Sequence, residues 1–193
     1  MTAVLPVPSS DSDALKWRRA RAAVHAWRGE MIDVFAYAEA EVSETLLAMD
    51  SLSGAATRSV LLVGQRFAQL AEAVSEGGAH VEIGKYARHD LATFRRHEAL
   101  RPALCHGIAH VALDERGEWI AVFRTLVLRA SGADRTNLVV TKTESAELLD
   151  DVRACGHRLG GQLRRMRREL AAADGALHRK NCGDKAALLS PAP

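Results

Sequence analysis

Aromatic residues are scarce in this chain of 193 residues: four Phe, two Tyr and three Trp. Strands draw on aromatic and β-branched side chains, whereas Ala, Leu and Arg, all plentiful here, favour helices. The bias argues against an all-β fold. Cysteine is scarcer still, with Cys105, Cys155 and Cys182 widely spaced and no CxxC pair. That excludes a disulfide framework and reads as reduced thiols in a cytoplasm. No apolar stretch approaches the roughly 20 residues of a membrane span. Met1 to Ser12 lacks the basic lead and long hydrophobic core of a signal peptide. The net charge of +2 is too small to argue for nucleic acid by itself.

What is present is an ordinary globular balance, 48% hydrophobic and 26% charged, in a chain long enough to bury a core without a disulfide or metal staple. The expectation is one domain over residues 13–172, between flexible tails at 1–12 and 173–193. Ser12 or Asp13 can cap a first helix running towards Met49. Its apolar positions Val24, Trp27, Met31, Val34, Phe35, Ala38, Val42, Leu46 and Met49 step by threes and fours. Gly29 marks a bend or break in it, and Asp50 to Gly54 reads as a turn. A second helix is expected from Ala55 to Glu76, burying Val60, Val63, Phe67, Leu70, Ala71 and Val74, and ended by Gly77-Gly78. A third covers Lys85 to Leu100, with Tyr86, Leu91 and Phe94 as apolar points. Pro102 then forces either a kink at Arg101 or a restart with the proline in a first turn.

The pattern then changes. Ile108 to Leu113 and Trp119 to Leu128 flank the turn Asp114-Glu115-Arg116-Gly117, a hairpin signature. Ser131 to Asp134 reads as another turn and Leu138 to Thr141 as a third strand. Thr143 then caps a last long helix, with Glu144 and Glu147 in its first turn, running through Leu148, Val152, Leu159, Leu163 and Met166 to Leu170. The fold class is therefore mainly α, a helical bundle with a β-hairpin or three-stranded antiparallel meander inserted before the last long helix.

Two clusters could carry chemistry. One is Arg101-Pro102-Ala103-Leu104-Cys105-His106-Gly107, where a helix hands over to the hairpin. Histidine can move a proton near neutral pH, and arginine can hold charge building on a phosphoryl oxygen. If both were helical, Arg101 and His106 would project about 140° apart. The simpler account is a helix-end arginine, a satisfied polar histidine and a glycine cap. The other cluster is basic, Arg164-Arg165-Met166-Arg167-Arg168. It is either a solvated face towards a helix C-terminus or a surface for an anionic partner.

Arginine, four residues, histidine and glycine at the end of a bundle helix resemble the R-x4-6-H motif of HEPN domains. The wider layout, an R-x-x-L-x-H-G phrase, a hairpin with a D-x-x-G turn and a closing helix, is similar to one branch of that family over about residues 22–170. The resemblance implies a metal-independent RNA endonuclease, or an inactive relative, in a toxin–antitoxin or phage-defence setting, with no cofactor and no metal. A ribose 2′-hydroxyl would attack the adjacent phosphate and leave a cyclic phosphate. His106 would be the general acid or base and Arg101 the transition-state anchor. Arg95, Arg96 and His97 would hold the RNA backbone, as would Arg164, Arg165 and Arg168, and Glu39 or Glu41 would orient the catalytic pair. The family builds its cleft from two protomers, so a homodimer is implied, with RNA and an antitoxin or regulatory protein as partners. Pro102 departs from the polar residue, often Asn, that follows the arginine in such ribonucleases. The alternative is a non-enzymatic helical module that binds RNA or protein in a structural or regulatory role.

Other combinations fit their chemistry less well. Cys105, His106 and His110, or Cys155 and His157, match no standard zinc spacing. Gly156 to Gly161 lacks the G-K-[ST] ending of a phosphate loop and reads as close helix packing or a bend. Adjacent Cys105 and His106 rarely point at one reacting atom. Trp17 and Trp27, among arginines, could stack on bases, though Trp27 lies at core spacing.

Overall fold

The computed structural model describes residues 11–53, 62–129 and 132–188. Among these are five helices, α1 (Asp11–Ser53), α2 (Val63–Ala73), α3 (Val81–Arg95), α4 (Leu100–His106) and α5 (Lys142–Leu188). A three-stranded sheet, β1 (Ile108–Leu113), β2 (Trp119–Arg129) and β3 (Gly132–Thr141), precedes α5. The strands form an antiparallel meander in the order β1-β2-β3. The mainly helical class with a meander before the last helix is thus as the sequence implies. No helix among the described residues is long and apolar enough to cross a membrane.

The chain divides into two compact units where the sequence reading has one domain. Met1–Phe35 and His97–Ala154 make one, and Ala36–Arg96 and Cys155–Pro193 the other. We call these the sheet unit and the helical unit.

The sheet unit takes its shape from the inner face of the meander. Trp119, Ala121, Phe123 and Thr125 of β2 are buried, as are Val111 of β1 and Val140 of β3. Val24, Trp27 and Met31 supply the buried stripe of α1, and Leu149 and Val152 that of α5. Trp27 stands at the centre, its ring 6.3 Å from Trp119 and 5.9 Å from Phe123. Its Nε1–H donates to the carbonyl of Ser145 at 2.8 Å, so a large apolar side chain is buried with its one polar atom satisfied. The β1–β2 turn follows from Asp114 and Gly117. The Gly117 amide donates to the Asp114 carbonyl, the Asp114 carboxylate accepts from the amides of Arg116 and Glu118, and Gly117 takes φ +80°.

The helical unit is built on Ala38, Val42, Leu46 and Met49 of α1, Phe67 and Leu70 of α2, Leu91 and Phe94 of α3, and Leu159, Leu163, Met166 and Leu170 of α5. Phe67 stacks on Phe94 with centroids 5.8 Å apart. Gly84 sits hard against Val74, where an added Cβ would meet Val74 Cγ1 at 2.3 Å. Gly160 of α5 likewise makes room for the Tyr37 side chain, so the glycine-rich stretch is helix packing rather than a phosphate loop.

Several boundaries move. α1 shows no break at Gly29 and runs through the expected turn to Ser53, with Ser51 Oγ donating back to the Leu47 carbonyl. α2 begins at Val63; the earlier part of its expected range, with Val60, lies outside the described residues. α3 ends at Arg95 and α4 restarts at Leu100, with Pro102 in its first turn. A continuous helix would drive the proline ring into the carbonyl of Glu98. Tyr86 is 48% exposed rather than an apolar anchor. β3 begins at Gly132, inside the expected turn, because the long β2 offers a ladder from Arg129↔Gly132 to Ile120↔Thr141. Thr141 rather than Thr143 caps α5. Its amide and hydroxyl both donate to the Glu144 carboxylate, and its Oγ1 accepts from the Glu144 amide. Finally, α5 continues to Leu188, past the expected end at Leu170 and through most of the expected tail.

Candidate functional site

α4 is a seven-residue helix carrying both Arg101 and His106. Arg101 is half-buried, and His106 is exposed at the last helical position. With both residues helical, their side chains leave the axis about 140° apart. The C-terminal carbonyls of α4 are held by Arg28 of α1. Its Nε–H donates to Leu104 O at 2.5 Å and its Nη2–H to Cys105 O at 3.2 Å, with the guanidinium 5.7 Å from the Phe123 ring centre. A fixed cation here satisfies orphan carbonyls and opposes the negative end of the helix dipole. Gly107 follows in extended conformation, where a Cβ would lie 2.2 Å from Ala103 O and 3.1 Å from Phe123 Cβ. Arg28 is thus the polar residue that organises this corner. Nothing in its sequence neighbourhood marked it, since its partners lie 76 and 77 positions away.

The other expected RNA contacts fall in different places. Arg95, the last residue of α3, and Arg96 belong to the helical unit, whereas His97, Arg101 and His106 belong to the sheet unit. His97 Nε2 lies 3.4 Å from an Asp151 carboxylate oxygen. The basic run of α5 is bound into the helical unit by Glu41. This carboxylate is 8% exposed and accepts from Arg167 Nη2 at 2.7 Å and Arg164 Nη1 at 2.6 Å. Arg167 also donates to Thr45 Oγ1 and the Glu41 carbonyl, and lies 3.1 Å from Glu44. Arg164 bonds the Tyr37 hydroxyl as well, which together with Glu41 raises its pKa. Burial pushes the Glu41 carboxyl up. The hydrogen bonds and charges of Arg167 and Arg164 more than reverse this and leave its pKa below the ordinary value. Arg165 pairs with Glu169 and stacks 4.4 Å over Tyr86, while Arg168 is exposed. Of the two acids expected to orient Arg101 and His106, Glu41 thus serves the α5 arginines.

Cys155 is buried and accepts from Arg158 Nη2 at 3.1 Å, whereas His157 is exposed with its ring 5.6 Å from Tyr37. The two project from opposite sides of α5. Cys105 and His106 are on α4, and His110 lies on the face of β1 opposite to buried Val111.

A surface that the sequence reading passed over is the outer face of the meander. The alternation that buries Trp119, Ala121, Phe123 and Thr125 turns Ile120, Val122, Arg124 and Leu126 outward. Register places Ile108 and Asn137 beside Arg124, His110 and Val139 beside Val122, and Arg135 beside Leu126. Ile108 is 68% exposed, Val139 57% and Leu126 56%. Among the described residues, no carboxylate stands on this face; its charged side chains are Arg124 and Arg135. Beside it, a groove of about 420 Å³ runs between β3 and α5, lined by Leu138, Val139, Val140, Glu144, Glu147, Leu148 and Asp151. The signal for the outer face was available in strict alternation, but apolar residues on both parities of β2 hid it.

Neither family models, characterised proteins nor solved structures give a match to this chain.

Proposed function

We propose that this chain is a non-enzymatic docking module that binds a partner protein through the outer face of its meander, in a structural or regulatory role. The observation that carries the reading is the cluster Ile108, Val122, Leu126 and Val139, aliphatic side chains gathered on one sheet face and left largely in solvent. Contiguous apolar surface of this kind marks interaction sites. The reading also accounts for the basic run of α5, whose Arg164 and Arg167 are engaged by Glu41 instead of forming a continuous positive face. A cytoplasmic setting goes with it, since neither Cys105 nor Cys155 is in a disulfide. The test is a photo-crosslinking amino acid placed at position 122 or 139, with position 146 on the exposed side of α5 as control. Protein adducts confined to the face, resistant to nuclease and reproduced with the purified captured chain, are expected. Equal crosslinking at all three positions would overturn the reading.

A second reading, a HEPN-like metal-independent endoribonuclease acting as a homodimer, is favoured by the exposed His106 and half-buried Arg101 on one short helix. Because the two residues diverge on α4, a shared phosphate would need the second protomer to complete the cleft. RNA cleavage in EDTA that leaves cyclic phosphates and vanishes in His106→Ala supports this reading. Activity equal in both proteins removes it.

A further inference from the structure

We infer that the partner element is an amphipathic helix with an apolar stripe flanked by carboxylates. This rests on the docking reading above and specifies the chemistry of the same face. Three strands span two gaps of about 4.8 Å, so the face is about 10 Å wide, the width of a single helix. From the Arg135–Leu126 pair to the Thr141–Ile120–Ala112 row is six residues, about 20 Å, which matches about 13 residues of helix.

Charge selects the occupant. Arg124 stands in the middle strand between Ile108 and Asn137, and Arg135 beside Leu126; neither makes an ion pair among the described residues. Aliphatic side chains around fixed cations call for apolar side chains bordered by carboxylates. A second copy docked face to face would set cations against cations. RNA would call for aromatic platforms, and a membrane surface for aromatic anchors. The aromatic residues of this sheet, Trp119 and Phe123, are on the buried face instead.

The experiment uses the full chain and a 14-residue helical probe peptide with Leu along one stripe and Glu on both flanks, read by fluorescence anisotropy. The wild type is expected to bind it and to bind the Lys-flanked counterpart at least tenfold more weakly, on the order expected for a close charge pair. Arg124→Glu should reverse the preference, and binding to the Lys-flanked peptide shows that the variant is folded. No binding of the Glu-flanked peptide, or binding indifferent to flank charge, overturns the inference. So does sedimentation showing self-association lost in Arg124→Glu, or Arg124-dependent binding of phosphatidylserine vesicles or single-stranded RNA in preference to the peptide. If face-specific crosslinking at positions 122 and 139 persists while the peptide fails, the docking reading stands and only the helix assignment falls.

Discussion

Replacing Glu41 with glutamine tests the electrostatics of the helical unit most directly. The carboxylate is buried and accepts from two guanidinium groups. Hydrogen bonds to charged groups contribute about 1.5–3 kcal/mol each, and removing one partner of a buried pair can cost about 3–5 kcal/mol. The loss here is smaller for two reasons. Arg164 is 46% exposed and can turn to solvent, and Arg167 keeps Thr45 Oγ1, the Glu41 carbonyl and Glu44. About 2 kcal/mol is therefore expected at pH 7, or a melting temperature lower by about 4–8 °C for a chain of this size. The pH dependence follows from the lowered pKa. The folded state holds Glu41 ionised more tightly than the unfolded state does, so its contribution is complete above the ordinary carboxylate value of 4.5. It is lost as pH falls through the lower folded-state value. Urea denaturation of wild type and Glu41→Gln from pH 7 to pH 3 should give two curves that converge only below about pH 4.5. A difference that stays constant to pH 3, or none at pH 7, would refute the assignment of Glu41 as the counter-charge of this cluster.

Gly84→Ala should destabilise by about 1–2 kcal/mol in urea titration, because the clash with Val74 outweighs the gain in helix propensity. Trp27→Phe should cost about 1–2 kcal/mol, by leaving the Ser145 carbonyl without its buried indole donor. Thr125→Val should be neutral or stabilising by up to about 1 kcal/mol, since Thr125 Oγ1 is buried without a hydrogen-bond partner; a clear loss of stability would reveal a partner for it. Thr141→Val should cost about 1 kcal/mol through loss of the reciprocal bonds with Glu144, and circular dichroism melts can check it.

The elements whose periodicity stands alone were legible in the sequence. Along α1 the apolar steps from Val24 to Met49 fall on buried positions apart from half-buried Val34, because a proline-free stretch with one apolar stripe has one way to pack. The β1–β2 hairpin was legible because Asp114 and Gly117 each supply what its turn needs. Boundaries set by partners were not. β3 extends back to Gly132 through Asp134, Arg135 and Asn137, residues of weak strand preference, because the ladder of β2 is there to receive them. α1 crosses an expected turn at Asp50 because serine can return its hydroxyl to the helix.

The candidate sites divide along the same line. Arg101 and His106 could be picked out by residue type, and their divergence on a helix could be stated in advance, because helix geometry is local. The roles of Arg28, Glu41 and Tyr37 could not, since each acts on residues 76 to 127 positions away and only the folded chain brings the partners together. This difference bears on function. A cation read from sequence counts as available charge, but Arg164 and Arg167 are engaged by Glu41 once the helices pack. Arg124 and Arg135 drew no notice in strands that read as apolar, yet among the described residues they remain available on an exposed face. The electrostatics a partner would meet are therefore those of the meander rather than those of the arginine run, and charge reversal at Arg124 should perturb binding more than reversal at Arg164.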